Sequence, residues 1–330
     1  MNGYRSSTSR SRNEVSFVYK DSHRNPVDGG TFDAQDGEDL HVFYLKAPKS
    51  LGDSDKRHHN AQVGHSVSTD GVNWTELPDA LLRREGEYFD SQGIWTGSVL
   101  KHNDVWHMFY TGIDKESKGR IQRIGHATSS DLITWERVGD EPILTASGPW
   151  YATSETDPKD EEPFRDPWVF FFEDQWHMLV TARDTTGDGT MAHAVSNDLS
   201  SWELKEPLLS NAQFDQLEVF QVVEVDGRWV LIFCAAPQDI HRPGIEKTYA
   251  TFAAPAAGPL GPFNLGAATP IPPDGGVYAG RIVTFADGSH NLFGFKDSGA
   301  PGEFTGTISS PIPVELHHNG ALRPVAQLVG

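Results

Sequence analysis

The ten residues His193-Ala194-Val195-Ser196-Asn197-Asp198-Leu199-Ser200-Ser201-Trp202 decide the fold, because they occur three times. Two earlier copies align with them without a gap: His65-Ser66-Val67-Ser68-Thr69-Asp70-Gly71-Val72-Asn73-Trp74 and His126-Ala127-Thr128-Ser129-Ser130-Asp131-Leu132-Ile133-Thr134-Trp135. The shared pattern is H-x-x-S-x-D-x-x-x-W, with the histidines 61 and 67 positions apart. A short strand, an Asp-centred turn and a Trp opening the next strand fit it. A fourth, degraded copy is expected from Thr248 to Phe263, where Pro and Gly replace the turn.

Working outward, a hairpin precedes each copy. Five returning strands can be read: His41 to Leu45, Trp106 to Tyr110, Trp176 to Val180, Trp229 to Phe233 and His290 to Gly294. The turns before them are Asp36-Gly37, Asn103-Asp104, Glu173-Asp174, Asp226-Gly227 and Asp287-Gly288, and Asp-Gly between alternating apolar runs is a strong hairpin signal. No long stretch carries a 3.6-residue apolar period. Repeats of roughly 50–70 residues with several short strands each mark a β-propeller. The expectation is an all-β, five-bladed propeller: a flexible segment over 1–15 and one catalytic domain over 16–330. Pro311 to Gly330 is too short for an appended β-sandwich.

In a propeller the first strand of each blade lines the central channel. Those strands begin near Asp28, Trp95, Asp166, Glu218 and Ala279. Counting forward to the returning strand gives 13 residues from Asp28 to His41, 11 from Asp166 to His177 and 12 from Glu218 to Val230. Asp28, Asp166 and Glu218 are thus expected in nearly one slot of three blades. Asp166 stands in Arg165-Asp166-Pro167-Trp168, where Pro167 excludes the right-handed helical region and favours extended backbone. Carboxylates crowded at one channel mouth cannot all ionise normally, and at least one pKa should rise. Two carboxyl groups with separated pKa values are what glycoside hydrolysis requires. Trp95, Trp168 and Phe89 lie close enough in sequence to stack on a sugar.

The same residues resemble glycoside hydrolase family 32, the invertase-like β-fructofuranosidases, and more distantly families 43 and 68. Arg165-Asp166-Pro167 is similar to the family's Arg-Asp-Pro motif, and Ile94-Trp95-Thr96-Gly97-Ser98 to its Trp/Phe-Ser-Gly-Ser segment. Gly64-His65-Ser66-Val67-Ser68 with Trp74 and Leu77-Pro78, Leu217-Glu218-Val219, and Tyr278-Ala279-Gly280-Arg281 resemble further family segments. The resemblance implies Asp28 as nucleophile, Asp166 as transition-state stabiliser and Glu218 as acid/base, in a retaining hydrolase or transferase acting on a fructosyl furanoside. It further points to Arg165, Trp95, Thr96, Asp90, Phe89, Tyr278 and Arg281 as substrate-binding residues, without metal or cofactor. Two departures stand out. Asn25-Pro26-Val27-Asp28-Gly29-Gly30 replaces the usual nucleophile signature, and Leu45 replaces a sugar-facing Gln. An inverting, family-43-like arabinosidase or xylosidase remains a second reading, and a non-catalytic carbohydrate-binding propeller a third.

Composition narrows the partners. Net charge is −19, from 27 Lys and Arg against 46 Asp and Glu. That argues against nucleic acid or an anionic membrane and leaves a small neutral carbohydrate open. Cys234, in an apolar run, is a single cysteine and reads as a buried inert thiol. Met1 to Asn13 shows no apolar signal-peptide core, so the expected location is cytoplasmic, with secretion as the alternative. The adjacent pairs His58-His59 and His317-His318 lack zinc-ligand spacing. The repeated His65, His126 and His193 read as structural.

Overall fold

The computed structural model describes residues 24–51, 54–157, 159–210, 213–272, 276–297, 304–318 and 320–325, with backbone alone at 24–31, 49, 54–55, 210, 297 and 304–306. The expected flexible segment, residues 1–15, lies outside the described residues. Blade one holds β1 (Arg24–Asp36), β2 (Asp39–Pro48), β3 (Gln62–Ser68) and β4 (Thr75–Leu81). Blade two holds β5 (Gly93–His102), β6 (Val105–Ile113), β7 (Gln122–Ser129) and β8 (Glu136–Arg137). Blade three holds β9 (Phe164–Phe172), β10 (Gln175–Arg183), β11 (Gly189–Ser196) and β12 (Glu203–Ser210). Blade four holds β13 (Glu218–Val225), β14 (Arg228–Ala235), β15 (Ala250–Pro255) and β16 (Thr269–Ile271). Blade five holds β17 (Val277–Thr284), β18 (His290–Asp297), β19 (Phe304–Ile308), β20 (Ile312–Leu316) and β21 (Leu322–Pro324).

Each blade is an antiparallel meander running outward from its first strand, and β20 and β21 complete the fifth. The first strands form a closed ring: β1 neighbours β5, β5 neighbours β9, β9 neighbours β13, β13 neighbours β17, and β17 returns to β1. A five-bladed β-propeller results, as the repeat implies. The inner hairpin turns follow their residues. Asn103-Asp104, Glu173-Asp174 and Asp226-Gly227 all take positive φ at both central positions, the primed turn whose twist matches the flanking strands.

The threefold repeat has a physical account. In each copy the Asp Oδ1 caps its turn: Asp70 accepts from Val72 N and Asn73 N, Asp131 from Ile133 N and Thr134 N, and Asp198 from Ser200 N and Ser201 N, all at 2.7–2.9 Å. The Ser hydroxyl donates to the same oxygen. These bonds favour the charged carboxylate and lower its pKa in all three copies. The Trp indole N–H closes the turn onto the carbonyl of Gly71, Leu132 or Leu199. Its ring then meets the preceding blade edge-on: Trp135 against Phe43, Trp202 against Phe109, and Trp74 against Phe293 of blade five. Trp74 thus helps join the last blade to the first.

The repeated histidines pair with the strand beside them. His41 and His65, His107 and His126, and His177 and His193 each share a ring-nitrogen hydrogen bond of 2.8–2.9 Å. Burial holds these rings neutral: the pKa of His65 and of His126 falls to about 3, that of His193 to about 4. In the degraded fourth copy Phe252 takes the histidine's place, in register with Phe233 and stacked on it at 5.3 Å. Among the described residues no helix is long and apolar enough to cross a membrane.

Candidate active site

Every first strand is broken by a bulge at the same end. The register against the second strand slips between Pro26 and Thr31, Trp95 and Gly97, Arg165 and Trp168, Glu218 and Gln221, and Tyr278 and Arg281. A bulge re-aims the side chains beside it. In blades three, four and five it contains a residue in the left-handed region: Asp166 (φ 60°), Val219 (φ 55°) and Ala279 (φ 52°). Pro167 therefore does exclude the right-handed helix at Asp166, but the backbone takes the left-handed alternative, not the extended one expected. Asp is among the residues that tolerate it.

The bulges also refine the slot. Arg165, Glu218 and Tyr278 are the last paired residues before the slip, opposite Thr181, Cys234 and Phe295, whereas Asp166 lies one residue further on. Asp166 and Glu218 are offset by one position, the single residue by which the counts to the second strand, 11 and 12, differ. The two side chains nonetheless converge. Both line a cavity of about 560 Å³ at one end of the channel, together with Arg165, Gln216, Asp239, Tyr249, Tyr278 and Trp95. Asp28 is in the slipped stretch of β1; its side chain lies outside the described residues.

Arg165 ties the acids together. It is 8% exposed, its Nη2 donates to Glu218 Oε1 at 2.5 Å, and its Nε lies 3.6 Å from Asp166 Oδ2. Gln122 and Gln216 accept from the same guanidinium and fix its plane. Tyr278 donates its hydroxyl to Glu218 Oε2, and burial pushes that phenol well above its usual pKa. Asp166 is buried further down. Its amide donates to Thr111 Oγ1 at 2.8 Å, and Thr111 in turn donates to the carbonyl of Thr96. Its Oδ2 accepts from Thr181 Oγ1 at 3.4 Å and from Val219 N at 3.3 Å.

Burial raises the Asp166 pKa to about 7, Arg165 opposing it and Glu218 adding to it. The raised carboxyl expected from crowding is therefore here, with desolvation, not like charge, as the first cause. Asp239, at the end of the 3-10 turn Pro237–Asp239, is raised to about 6 by burial and then by Glu218. Among the described residues no group of three or more His, Cys, Asp or Glu is arranged to hold a metal ion. The chemistry within reach is that of two carboxyl groups in unlike surroundings, one exposed to the cavity and clamped by donors, the other sunk beneath it.

Other sequence candidates are placed differently. Trp95 lines the cavity, its indole N–H donating to the carbonyl of His58 at 2.7 Å. Thr96 is fully buried in the bulge of β5. Phe89 and Asp90 are not among the cavity-lining residues. Asp90 is fully buried between Arg84 at 2.6 Å, Arg137 at 2.7 Å and the Tyr110 hydroxyl at 3.0 Å, and Phe89 stacks on Tyr110. Their side chains are committed to blade packing. Trp168 and Arg281 stand behind the wall, the guanidinium 4.9 Å over the indole. Sequence reasoning missed Thr111, Thr181, Gln216, Asp239 and Tyr249. The two threonines do leave a signal: Trp-His-Met-x-x-Thr occurs at 106–111 and again at 176–181.

Comparison with known proteins agrees with this fold. The model of the glycosyl hydrolases family 32 N-terminal domain matches residues 34–257, a span containing Asp166 and Glu218 and beginning after Asp28. A sucrose-6-phosphate hydrolase of Bacillus subtilis is 28% identical over 215 residues, 62% of this chain and 40% of that protein. A raffinose invertase of Escherichia coli is 30% identical over 154 residues, 45% of this chain and 29% of that protein. The matches thus span less than half the length of these relatives. Among solved structures, an inulosucrase of Halalkalicoccus jeotgali bound to kestose superposes with a TM-score of 0.70 at 21% identity, covering 94% of this chain and 91% of that one. That likeness is one of fold.

Proposed function

The chain belongs to glycosyl hydrolase family 32, and from that premise we propose that it cleaves or transfers a β-fructofuranosyl group by a retaining double displacement. Its partner is a small carbohydrate. Glu218 protonates the leaving glycosidic oxygen while a carboxylate of β1, Asp28, attacks the anomeric carbon. Glu218 then takes the proton from the incoming water or sugar hydroxyl as the ester is released. Asp166 accepts hydrogen bonds from the fructosyl ring and balances the positive charge that develops on it.

The observation that carries this reading is Arg165 set between Glu218 and Asp166 at the floor of a sugar-sized cavity. A carboxylate held by Arg165 on one oxygen and Tyr278 on the other keeps a lone-pair direction on each oxygen for a ligand, the arrangement expected of a group that must both give and take a proton. The placing of Asp28 rests on the slipped register of the innermost strand of blade one.

The roles separate by leaving group. With Glu218→Gln, hydrolysis of sucrose should fall by about 10³-fold or more, while an aryl fructofuranoside whose leaving group needs no proton should lose far less in the first step. Asp28→Asn should abolish both, and NMR should show the first-formed anomer with retained configuration. Full activity of Asp28→Asn, or an inverted first product, would overturn the mechanism.

A further inference from the structure

One aromatic ring stands at the mouth of the cavity with much of its surface in solvent. Tyr249 lines the cavity and is 41% exposed. It takes no part in the chemistry of the acids, and the strand it precedes explains where it points. The ladder between β14 and β15 sets Thr251 opposite Cys234 and Ala250 opposite Ala235. Cys234 is in turn the partner of Glu218 on β13. Glu218, Cys234 and Thr251 thus form one row across blade four, from the channel outward. Tyr249 follows two residues beyond that row, at the end where Ala236 also lines the cavity.

Side chains two apart along a strand share a face. Thr251 shows which face this is: its hydroxyl donates to the carbonyl of Val277 and accepts from the amide of Gly280, both in blade five. Tyr249, immediately before β15, continues that face towards blade five, where the bulge between Tyr278 and Arg281 opens the strand. Its ring meets Tyr278 edge-on there, with centroids 5.2 Å apart and planes at 86°. Tyr278 gives its hydroxyl to Glu218. Tyr249 is therefore one ring removed from the carboxyl group that serves the glycosidic oxygen.

The fructosyl ring belongs near the channel axis, among the acids of the first strands. The strands of a blade run outward from that axis, and Tyr249 comes from the approach to the third. A sugar departing past Glu218, away from the other acids, passes this ring. A tyrosine that only supported Tyr278 would be free to bury itself; this one keeps a face in the cavity. The C–H face of a hexose is what such an amphipathic ring stacks on.

We propose that Tyr249 binds the leaving sugar by stacking on its ring, and holds the same place for an acceptor sugar in the second step. It is a specificity-determining residue, favouring donors whose departing group is a sugar and acceptors that are sugars over water. The assignment rests on Glu218 being the acid/base of the proposed function, because Glu218 fixes the side on which the glycosidic oxygen lies.

The test compares sucrose with β-fructofuranosyl fluoride, which carries the same fructosyl group and no sugar to leave. In Tyr249→Ala, kcat/KM for sucrose should fall about tenfold and that for the fluoride by less than about twofold. With glucose added to the fluoride, the ratio of transfer to hydrolysis should fall by a similar factor. Tyr249→Phe keeps the ring and should restore the preference for sucrose. The pH profile of kcat/KM should stay in place, because Tyr278 and Glu218 are retained. Circular dichroism confirms folding, and if Tyr249→Ala does not fold, Tyr249→Leu, which still packs on Tyr278, reads the same split. Equal losses on the two donors, a displaced pH profile, unchanged kinetics on sucrose, or a Phe variant as poor as the Ala one would each overturn the proposal. Wild-type activity of Glu218→Gln on sucrose would instead overturn the reading of the site.

Discussion

The outer layers of blades one to three and the inner strands of blades three to five are built on opposite principles. In the outer layers one decapeptide is written three times, and every copy does the same thing: an Asp caps a turn, a His pairs with its neighbour, a Trp meets the preceding blade. In the inner strands one bulge is likewise repeated, yet the residues beside it differ: Arg165 and Asp166, then Glu218, then Tyr278. Repetition of side chains marks the scaffold, and repetition of backbone with changing side chains marks the site. The polar groups of the first region find partners within their own blade. Those of the second find most of theirs in other blades.

The contrast can be broken most strongly by acid. His65, His126 and His193 have folded pKa values below the unfolded value of 6.5, so their contribution is fully present above pH 6.5 and is lost as pH falls beneath it towards 4 and then 3. At pH 5 each should cost about 2 kcal/mol, roughly 6 kcal/mol for the three. His126→Phe, which rewrites blade two in the manner of blade four, should remove about a third of that pH dependence in urea unfolding. An unchanged dependence would show that the histidine pairs are not the acid-sensitive part of the scaffold.

The next effect belongs to the inner strands. Arg165→Leu leaves Asp166 and Glu218 without their shared cation, and kcat/KM should fall by about 10³–10⁴-fold, or 4–5.5 kcal/mol, while the protein still folds. A loss under tenfold would mean that the two acids do not depend on it.

A third change tests the bulge itself. A Cβ on Gly97 would fall 1.8 Å from the carbonyl oxygen of Phe109, a backbone atom that cannot swing aside. Gly97→Ala should therefore destabilise by about 3 kcal/mol. The smallest effect is expected at a single cap. Asp131→Ala removes two backbone hydrogen bonds from one turn and should lower the melting temperature by about 2 °C. Asp70→Ala should match it if the copies are equivalent, and activity should be untouched in both.

The sequence alone determined the number of blades, the place of the hairpin turns, the structural character of the repeated histidines and the presence of Asp166 and Glu218 on channel-lining strands. These are local matters: a period of two, turn residues with positive φ and a recurring decapeptide are legible over a dozen positions. It also left Trp-His-Met-x-x-Thr in view, a signal for Thr111 and Thr181 that only their bonds to the bulges make intelligible.

Tertiary structure decided the rest. That Asp166 and Glu218, one position apart in their blades, turn into the same cavity depends on where the ladders slip, and strand pairing fixes that. The placing of Asp90 and Phe89 in blade packing depends on Arg84, Arg137 and Tyr110 arriving from elsewhere. Arg281 reaches a carbonyl 184 residues away in the chain. A buried charge takes its meaning from the groups that surround it, and in a closed ring those groups come from every blade at once.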